Sequence, residues 1–314
     1  MTDKEASLSY QQSNVAKPRV SVVIPMYNAQ TYVAMTLTNL FKQTFSNFEV
    51  IIVNDGSTDS SVDIVKQFDD QRIVLIEQKN SGVSVARNTA IMQARGEFVA
   101  FLDADDLWHT EKLEVQVRQF ELHPEIDFCY TDRDLFEEIE CLNLTSGVNT
   151  DIIELEQLFP ALLKHNHIHC SSVMVRRSIF AKIGLFDVML DASEDSDLWI
   201  RAAKSNTVLR VASVLSFYRR HDTNTINSIK FRRNRVFAEL LFYARWLRNP
   251  AGRVILADNI KGNSHALAYE EESLQNHGQA MRYFCLAFFF GKRDLRTFIK
   301  IILLWFKSKL TSSQ

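Results

Sequence analysis

The sequence predicts an α/β fold, a mainly parallel sheet with helices on both faces, followed by an all-helical C-terminal extension. Two observations lead to this prediction. Four short apolar segments rich in β-branched residues alternate with helical periodicity through the first hundred residues, and strands joined by helical crossovers form parallel sheets. Beyond about residue 229 the strand patterns vanish and helical periodicity takes over.

The composition supports a globular fold and excludes several classes. Of 314 residues, 46% are hydrophobic and 24% are charged, which excludes disorder and collagen-like structure. The nine glycines among 314 residues are less than half the number expected from the usual share of about 7%. No GxxxxGK[ST] motif occurs, so a P-loop NTPase is excluded. The four cysteines form no CxxC pair and the N-terminal residues are polar rather than signal-like, so we expect a cytoplasmic protein.

The first half is predicted to contain three strand–helix units and a fourth strand. The segments are strand 20–25, helix 31–43, strand 48–53, a helix up to Phe68, strand 73–76, helix 83–94 and strand 98–102. Polar clusters follow three of these strands, at Tyr27-Asn28, at Asp55 and at Asp103–Asp106. Open α/β sheets bind ligands at the carboxyl ends of their strands. We therefore expect these clusters to form one site.

The second half is less regular, and its charge divides the chain. Its predicted elements are strands 127–131, 170–175 and 207–218 and helices 196–205, 231–248, 264–276, 279–290 and 294–309, with an acidic, patternless segment at 132–157. Residues 1–227 carry a net charge of −11, whereas residues 228–314 carry +9. We therefore predict an α/β domain over 18–228 and a basic, amphipathic helical region over 229–314, with different partners.

The string Asp103-Ala104-Asp105 is the sharpest local feature. Two carboxylates leave a buried strand together, and hard cations bind carboxylate and phosphate oxygens at such positions. The protein would supply one or two ligands and a diphosphate the others. Such a string alone often does no more than solvate a turn. Its place after three strand–helix units favours a functional site.

Five motifs, in order, carry a resemblance to a known family. They are VSVVIPMYNA (20–29), VNDGSTDSS (53–61), KNSGVSVARN (79–88), FVAFLDADD (98–106) and SEDSDLWIRA (193–202). Together they resemble the nucleotide-sugar-dependent, inverting glycosyltransferases of family 2, which have the Rossmann-like GT-A fold. The resemblance covers roughly residues 18–222 and implies that the α/β domain is catalytic.

The resemblance implies a nucleotide-sugar site and a metal ion. The residues placed around the nucleotide are Pro25, Tyr27, Asp55, Arg87, Asp103 and Ala104. Asp55 would recognise the base, usually uracil, because a carboxylate accepts from an imide N–H that uracil and thymine have and cytosine lacks. Asp105, with Asp103 and with His221 of the YRxH-like element, would hold Mn²⁺ or Mg²⁺, which favour oxygen ligands. Taken singly, Asp55 reads as a turn acid, Arg87 as half of a surface ion pair and His221 as a surface histidine.

The pair Glu194-Asp195 supplies the candidate base. Inverting transfer needs a base for the acceptor hydroxyl while a nucleoside diphosphate leaves. The match to the family's ED motif implies that Asp195 is this base and that Glu194 orients it or touches the acceptor. Asp197 is expected to act as a cap or first-turn acid, and Trp199 is expected in the core rather than against a sugar.

Two further groups of residues outside these five motifs are candidates for the site. Arg219 and Arg220 are candidate diphosphate contacts. The histidines of HNHIHC, namely His165, His167 and His169, would share one face of a strand. That spacing suggests a metal site, but a polar strand face near the acceptor is the favoured interpretation.

The segment 282–309 interleaves aromatic and large aliphatic residues with basic ones and contains one acid, Asp294. Basic amphipathic helices of this kind fit a membrane interface, where anionic lipids attract each basic residue by about 1 kcal/mol. We expect peripheral contact with the cytoplasmic face of the membrane. A helix pair packed on the catalytic domain and an oligomer contact remain alternatives. No nucleic-acid partner is expected, because the large domain is acidic.

The sequence therefore predicts an inverting, metal-dependent hexosyltransferase that uses a UDP- or dTDP-sugar. Its acceptor would be a saccharide or a polyprenyl-diphosphate-linked saccharide, in the synthesis of a surface polysaccharide or glycolipid. One alternative is a non-catalytic interaction module with the same fold, although both acidic motifs are intact. Another is a sugar-nucleotide pyrophosphorylase, which would need a glycine-rich basic loop where this chain has MYNAQT.

Overall fold

The computed structural model describes residues 17–137, 142, 144–145, 153–221, 228–246, 248–292 and 294–311. The strands in these ranges are β1 (Val20–Met26), β2 (Phe48–Asp55), β3 (Ile73–Gln78), β4 (Phe98–Phe101), β5 (Leu107–Trp108), β6 (Phe128–Phe136), β7 (Ile153–Glu156), β8 (Val173–Arg176) and β9 (Val208–Arg219). The helices are α1 (Val33–Leu40), α2 (Ser61–Lys66), α3 (Val83–Gln93), α4 (Lys112–Leu122), α5 (Ala161–Lys164), α6 (Ile179–Ile183), α7 (Glu194–Ser205), α8 (Ile229–Trp246), α9 (Pro250–Ser273), α10 (His277–Phe289) and α11 (Leu295–Thr311).

The described strands form one mixed sheet in the order β3-β2-β1-β4-β8-β6-β9-β5, with β7 paired to β9. The four strands β3, β2, β1 and β4 are parallel, as predicted. Strand β8 enters antiparallel between β4 and β6. The α/β class and the helical extension are therefore confirmed, and the regular strand–helix alternation stops in the mixed half of the sheet, where β8 is antiparallel to its neighbours and β6 pairs in parallel with β9.

The parallel register brings the polar strand ends together. Met26 of β1 pairs with Asn54 of β2, and Asp55 pairs with Gln78 of β3. Phe101 of β4 lies opposite Val23, so the loop that begins at Asp103 leaves the sheet beside the end of β1. This edge is the carboxyl edge at which open α/β sheets bind ligands.

Alternate residues of the strands feed two cores, one on each face of the sheet. Val20, Val22 and Ile24 of β1 face a core that α1, α2 and α4 cover, whereas Val23 faces the core covered by α3, α7 and α8. Because successive strand side chains point to opposite faces, a strand covered on both sides is apolar at nearly every position. This explains why VSVVIPM has no polar–apolar alternation.

Several elements differ from the sequence prediction. Helix α4 was not predicted, because polar side chains occupy its buried face: Lys112 donates to Gln116 at 2.7 Å and both are fully buried. Strand β7 lies in the acidic segment that had no readable pattern. Residues 170–172, predicted to begin a strand, form a 3-10 turn, and β8 starts only at Val173.

The helical region has two parts. Ala238, Phe242 and Trp246 of α8 and Leu256 of α9 belong to the same core as α7 and the sheet. Further along, Ala268 of α9 packs with α10 and α11 in a small separate core. Among the described residues, no helix is long and apolar enough to cross a membrane. The boundary predicted at residue 228 stays a prediction, since residues 222–227 lie outside the described part of the chain.

Candidate active site

The end of β1 opens the site. Pro25 is the penultimate residue of the strand. Tyr27, just beyond the strand, is 52% exposed, so its ring is accessible for stacking. Asn28 takes a positive φ of 49°. Its backbone N–H donates to Ser57 Oγ at 2.9 Å, and its Oδ1 accepts from Thr58 N at 2.8 Å. The loops after β1 and β2 are thereby tied together.

Asp55, the last residue of β2, is buried and held by the next strand–helix connection. Its Oδ1 accepts from Gln78 Nε2 at 2.7 Å and from Ser81 N at 2.8 Å, while its Oδ2 accepts from Gly82 N at 2.8 Å. Gly82 has φ +92°, a conformation that suits glycine. A carboxylate has about four acceptor positions, so one remains for a ligand. The role of Asp55 in base recognition stays a prediction.

The hydroxyl group of Ser171 holds the Asp103–Asp106 loop by two hydrogen bonds. The Ser171 hydroxyl donates to Asp106 Oδ2 at 2.5 Å and accepts from Asp103 N at 3.1 Å. Ala104 is buried, and its carbonyl accepts from Thr36 Oγ1 at 3.0 Å. Asp106 is fully buried, and burial together with Asp105 and Asp103 raises its pKa well above the ordinary value. The loop is therefore held at several points and brings three carboxyl groups together.

Arg87 connects the two acidic motifs. Its NH2 donates to Asp103 Oδ1 at 2.8 Å and its NH1 to Glu194 Oε1 at 2.6 Å. Burial acts to raise the pKa of Asp103, but Arg87 and then His169 more than offset it, so this pKa lies below its ordinary value. The structure thus brings Arg87, for which a surface ion pair was the plain alternative, to the centre of the site.

Asp195 lies beside Glu194 in the first turn of α7. Its Oδ2 accepts from Asn166 Nδ2 at 3.2 Å and its Oδ1 from Ser196 N at 2.6 Å. Burial, and then the neighbouring Glu194 carboxylate, raise the pKa of Asp195 to about 7. A carboxylate with a pKa near neutrality can take a proton from a hydroxyl and still be ionised beforehand.

Asp105 faces His221, and the pair forms one candidate cation site. The Nε2 atom of His221 lies 3.0 Å from Oδ2 of Asp105, and its ring stacks on Tyr32 with centroids 4.7 Å apart. Burial and Asp103 raise the pKa of Asp105. Arg219 is buried and donates through Nε to the Asp105 carbonyl at 2.8 Å, so it braces this loop. Arg220 is exposed.

A second candidate group combines Asp103, Asp106 and His169, one ligand atom of each lying within 4.8 Å of the others. Burial lowers the pKa of His169 to about 4, so its imidazole is neutral near pH 7. The prediction that His165, His167 and His169 share a strand face was wrong. They lie in an irregular segment between α5 and the 3-10 turn, where no two-residue repeat applies.

Other residues of the ED helix hold the fold together. Asp197 is buried and accepts from Arg201 Nε at 2.8 Å and from Arg245 of α8. Trp199 is buried against Phe101, Phe128 and Phe186, as the core interpretation predicted. Sequence reasoning missed Ser171 and Asn166, which contact the acidic residues from the segment where only the histidines of HNHIHC had been singled out. No pattern in the sequence marks them, because their role depends on a long-range approach.

The comparisons with known proteins agree on one family. Residues 21–184 match the family described as Glycosyl transferase family 2. The chain is 30% identical over 257 residues to UDP-Glc:alpha-D-GlcNAc-diphosphoundecaprenol beta-1,3-glucosyltransferase WfgD of Escherichia coli, covering 80% of this chain and 96% of WfgD. It is 34% identical over 223 residues to the putative teichuronic acid biosynthesis glycosyltransferase TuaG of Bacillus subtilis, covering 69% of this chain and 84% of TuaG.

The fold has a solved counterpart. The crystal structure of S. aureus TarS 1-349 in complex with UDP-GlcNAc matches with a TM-score of 0.63. The match covers 85% of this chain and 79% of the TarS chain at 20% identity. At that identity the likeness concerns the fold alone.

Proposed function

This chain belongs to glycosyl transferase family 2, and from that premise we propose that it transfers a sugar, with inversion, from a UDP- or dTDP-sugar to a saccharide acceptor. The observation that carries the proposal is the link through Arg87 between Asp103 and the Glu194–Asp195 pair. A donor site and a base separated in sequence thus lie within the reach of one side chain. A non-catalytic module would have no need of a carboxylate whose pKa is near 7.

The donor would lie over the ends of β1 and β2. Tyr27 offers an exposed ring, and Asp55 has an acceptor position left for the imide N–H of uracil or thymine. The names of WfgD and of the TarS complex contain UDP-sugars, which supports uridine as the base. Stacking of the base on the Tyr27 ring and a hydrogen bond from its imide N–H to Asp55 would together select the nucleoside.

A divalent cation, Mn²⁺ or Mg²⁺, fits the donor atoms at this edge. Three carboxyl groups follow β4, and burial, together with the charge of the neighbouring aspartates, raises the pKa of Asp105 and of Asp106, so a cation there would favour their ionised forms. Asp105 and His221 would hold the ion, with Asp103 beside them, because their facing oxygen and nitrogen atoms suit such metals. When bound, the cation supplies charge stabilisation for a leaving diphosphate.

The chain's own residues would carry the proton step. Asp195 accepts the proton of the acceptor hydroxyl while that oxygen bonds to the anomeric carbon and the bond from this carbon to the nucleoside diphosphate breaks. Glu194, held by Arg87, raises the pKa of Asp195 and so makes Asp195 a stronger base. A single displacement of this kind inverts the anomeric configuration.

We also propose a lipid-linked acceptor and peripheral contact with a membrane. The acceptor named for WfgD is an undecaprenol diphosphate sugar. On α11, Thr297 and Leu304 are buried, whereas Phe298, Ile299, Ile302, Leu303 and Trp305 are 41% to 54% exposed. A surface helix normally presents polar residues to water, so an outward apolar face requires a partner.

The charge beside this α11 outer face (Phe298, Ile299, Ile302, Leu303 and Trp305) favours an anionic lipid surface as the partner. Arg296 is exposed and supplies this charge, whereas Lys300, half-buried one turn further on, is already paired with Glu272 at 2.6 Å. Apolar residues that enter the interface while basic ones meet anionic headgroups are typical of membrane-surface helices. Arg293, also part of the predicted basic segment, lies outside the described residues.

The proposed activity is tested by measuring transfer and donor hydrolysis over a panel of UDP-, dTDP- and GDP-sugars with Mn²⁺, using undecaprenol-diphosphate sugars as acceptors. The matched control is Asp105→Ala. We expect Mn²⁺-dependent turnover of a uridine or thymidine donor and a product of inverted anomeric configuration. Absence of turnover on every donor would favour the non-catalytic module. Release of sugar 1-phosphate with consumption of pyrophosphate would favour the pyrophosphorylase.

A further inference from the structure

Arg87 has a role that its predicted place beside the nucleotide does not describe. We propose that Arg87 is a positioning residue, which holds Glu194 and thereby the base Asp195 at a constant distance from the donor-site carboxylate Asp103. This proposal rests on the proposed function above. The proposal extends to other residues of α3, because this helix also holds the segment that precedes Asp195.

The guanidinium is committed to these two carboxylates. Arg87 is only 4% exposed, and its two terminal nitrogens donate to different motifs, to Asp103 at 2.8 Å and to Glu194 at 2.6 Å. Its Nε has no hydrogen-bond partner among the residues that the structure describes. The planar fork of arginine can serve two acceptors at fixed angles, whereas the lysine ammonium is a single point charge on a flexible stem. A residue of this geometry sets a distance between its partners.

Helix α3 fixes the segment before the base at two further points. Asn88 Nδ2 donates to the carbonyl of Phe186 at 2.9 Å, and its Oδ1 accepts from Phe186 N at 2.9 Å. Ser84 Oγ donates to the carbonyl of Leu190 at 3.4 Å. The Phe186 ring lies 5.4 Å from the Arg87 guanidinium. The segment from Phe186 to Asp195 is thus docked on α3, with Arg87 at its centre.

The charge of Arg87 also acts on the base. The described charged and polar groups facing Asp195 are Glu194 and Ser196 on its own helix, Arg87 on α3, and Asn166 and Cys170 on the segment before β8. Glu194 raises the pKa of Asp195 and Arg87 lowers it. Removal of the Arg87 charge should therefore move the ionisation of Asp195 to higher pH. A side chain with only a structural role would leave that ionisation where it is.

The test compares Arg87→Gln and Arg87→Lys in the full chain. We measure kcat against pH, the Kd of UDP and the unfolding temperature. For Arg87→Gln we expect kcat at pH 7 to fall about a hundredfold, the loss that a misplacement of about 1 Å can cause. The acid limb of the kcat profile should move up by at least half a pH unit, and the Kd of UDP should change less than threefold. In Arg87→Lys the limb should return toward its wild-type pH.

The matched control is Arg176→Gln. Arg176 of β8 is also partly buried and pairs with Glu97 at 2.7 Å, but at the amino edge of β4, away from the site. It should lower the unfolding temperature without moving the limb. A Kd for UDP that rises as much as kcat falls would overturn the proposal in favour of a nucleotide contact. So would an unmoved limb in both Arg87 variants, of which Arg87→Lys is the one more certain to fold. If the wild-type chain transfers no sugar, the proposed function fails instead.

Discussion

The carboxyl edge of the sheet and the outer face of α11 break the usual rules of burial in opposite ways. At the sheet edge, carboxyl groups are buried or half-buried: Asp106 is fully enclosed, and the half-buried Asp195 has its pKa raised to about 7. On α11, apolar side chains are exposed, with Leu303 at 54%. Both arrangements cost stability in an isolated protein. The comparison teaches that this chain departs from the usual rules of burial at two separate surfaces, and the proposed cation and the proposed lipid surface would each complement one of them.

The helical region between these two surfaces is itself divided. Helix α8 shares the core of the sheet, and its Arg245 pairs with Asp197 on the base helix and with Asp187 at 2.8 Å. Arg233 of α8 holds Glu271 of α9 at 2.8 Å through NH2. The start of the helical region therefore supports the site, whereas α10 and α11 have a small core of their own. Four variants or conditions probe this division, and we order them from the largest expected effect to the smallest.

The largest effect is expected from substitution of Asp195, the proposed base. We expect Asp195→Asn to lower kcat by about a thousandfold or more, within the range of general base catalysis, while UDP binding changes less than twofold. The measurement is transfer rate beside UDP titration. The pKa of Asp195 is raised in the folded state, so its ionisation destabilises the fold as pH rises from about 4 to about 7. The variant should then be at least as stable as the wild type at pH 8, and transfer at the wild-type rate would remove Asp195 from its role.

The α11 outer face comes second. We expect Ile302→Glu with Leu303→Glu to lower binding to anionic liposomes about a hundredfold, because apolar area is lost and each new charge is repelled by about 1 kcal/mol. Flotation with vesicles of phosphatidylglycerol and phosphatidylcholine measures it. The control is Met92→Glu with Leu122→Glu, which adds the same charge at exposed apolar positions of the sheet domain. Equal binding by wild type and α11 variant, or none by the wild type, would refute membrane contact.

The ion pair between Arg245 of α8 and Asp197 of α7 comes third. We expect Arg245→Ala to reduce the free energy of unfolding by about 2 kcal/mol, because it leaves the buried Asp197 with one of its two arginine partners. Lys66→Ala serves as control, since it removes an exposed pair with Glu77 that is worth at most about 1 kcal/mol. Denaturant titration measures both. An equal loss of unfolding free energy in the two variants would mean that Arg245 of α8 does not stabilise α7.

The pH dependence of the wild type is the smallest effect. Asp195 must be ionised to accept a proton, and its pKa is about 7. Activity should therefore fall as pH is lowered through 7, by about tenfold between pH 8 and pH 6. The kcat profile with saturating donor and acceptor measures it. An acid limb centred near pH 4 would mean that Asp195 ionises as an ordinary surface carboxyl when substrate is bound.

The reach of sequence reasoning differs between the two halves of the sheet. The parallel strands were predicted within a residue or two, since buried β-branched runs such as FEVIIV carry their own signal. Helix α4 and β7 were missed, because the buried face of α4 includes Lys112 and Gln116 and β7 alternates glutamates on an edge. In these elements burial is decided by neighbours rather than by the polarity of the residues.

For the site, the sequence by itself determined which residue types follow which strands: Asp55 after β2, Asp103 to Asp106 after β4, and Glu194-Asp195 at the start of a helix. Only the tertiary structure decided what they do to one another. Ser171 clasps the Asp loop, Arg87 joins Asp103 to Glu194, and burial sets the pKa of Asp195. The physical reason is range. Strand and turn preferences act over a few neighbours, whereas hydrogen bonds and desolvation depend on groups that only the folded chain brings within 3 Å to 4 Å of each other.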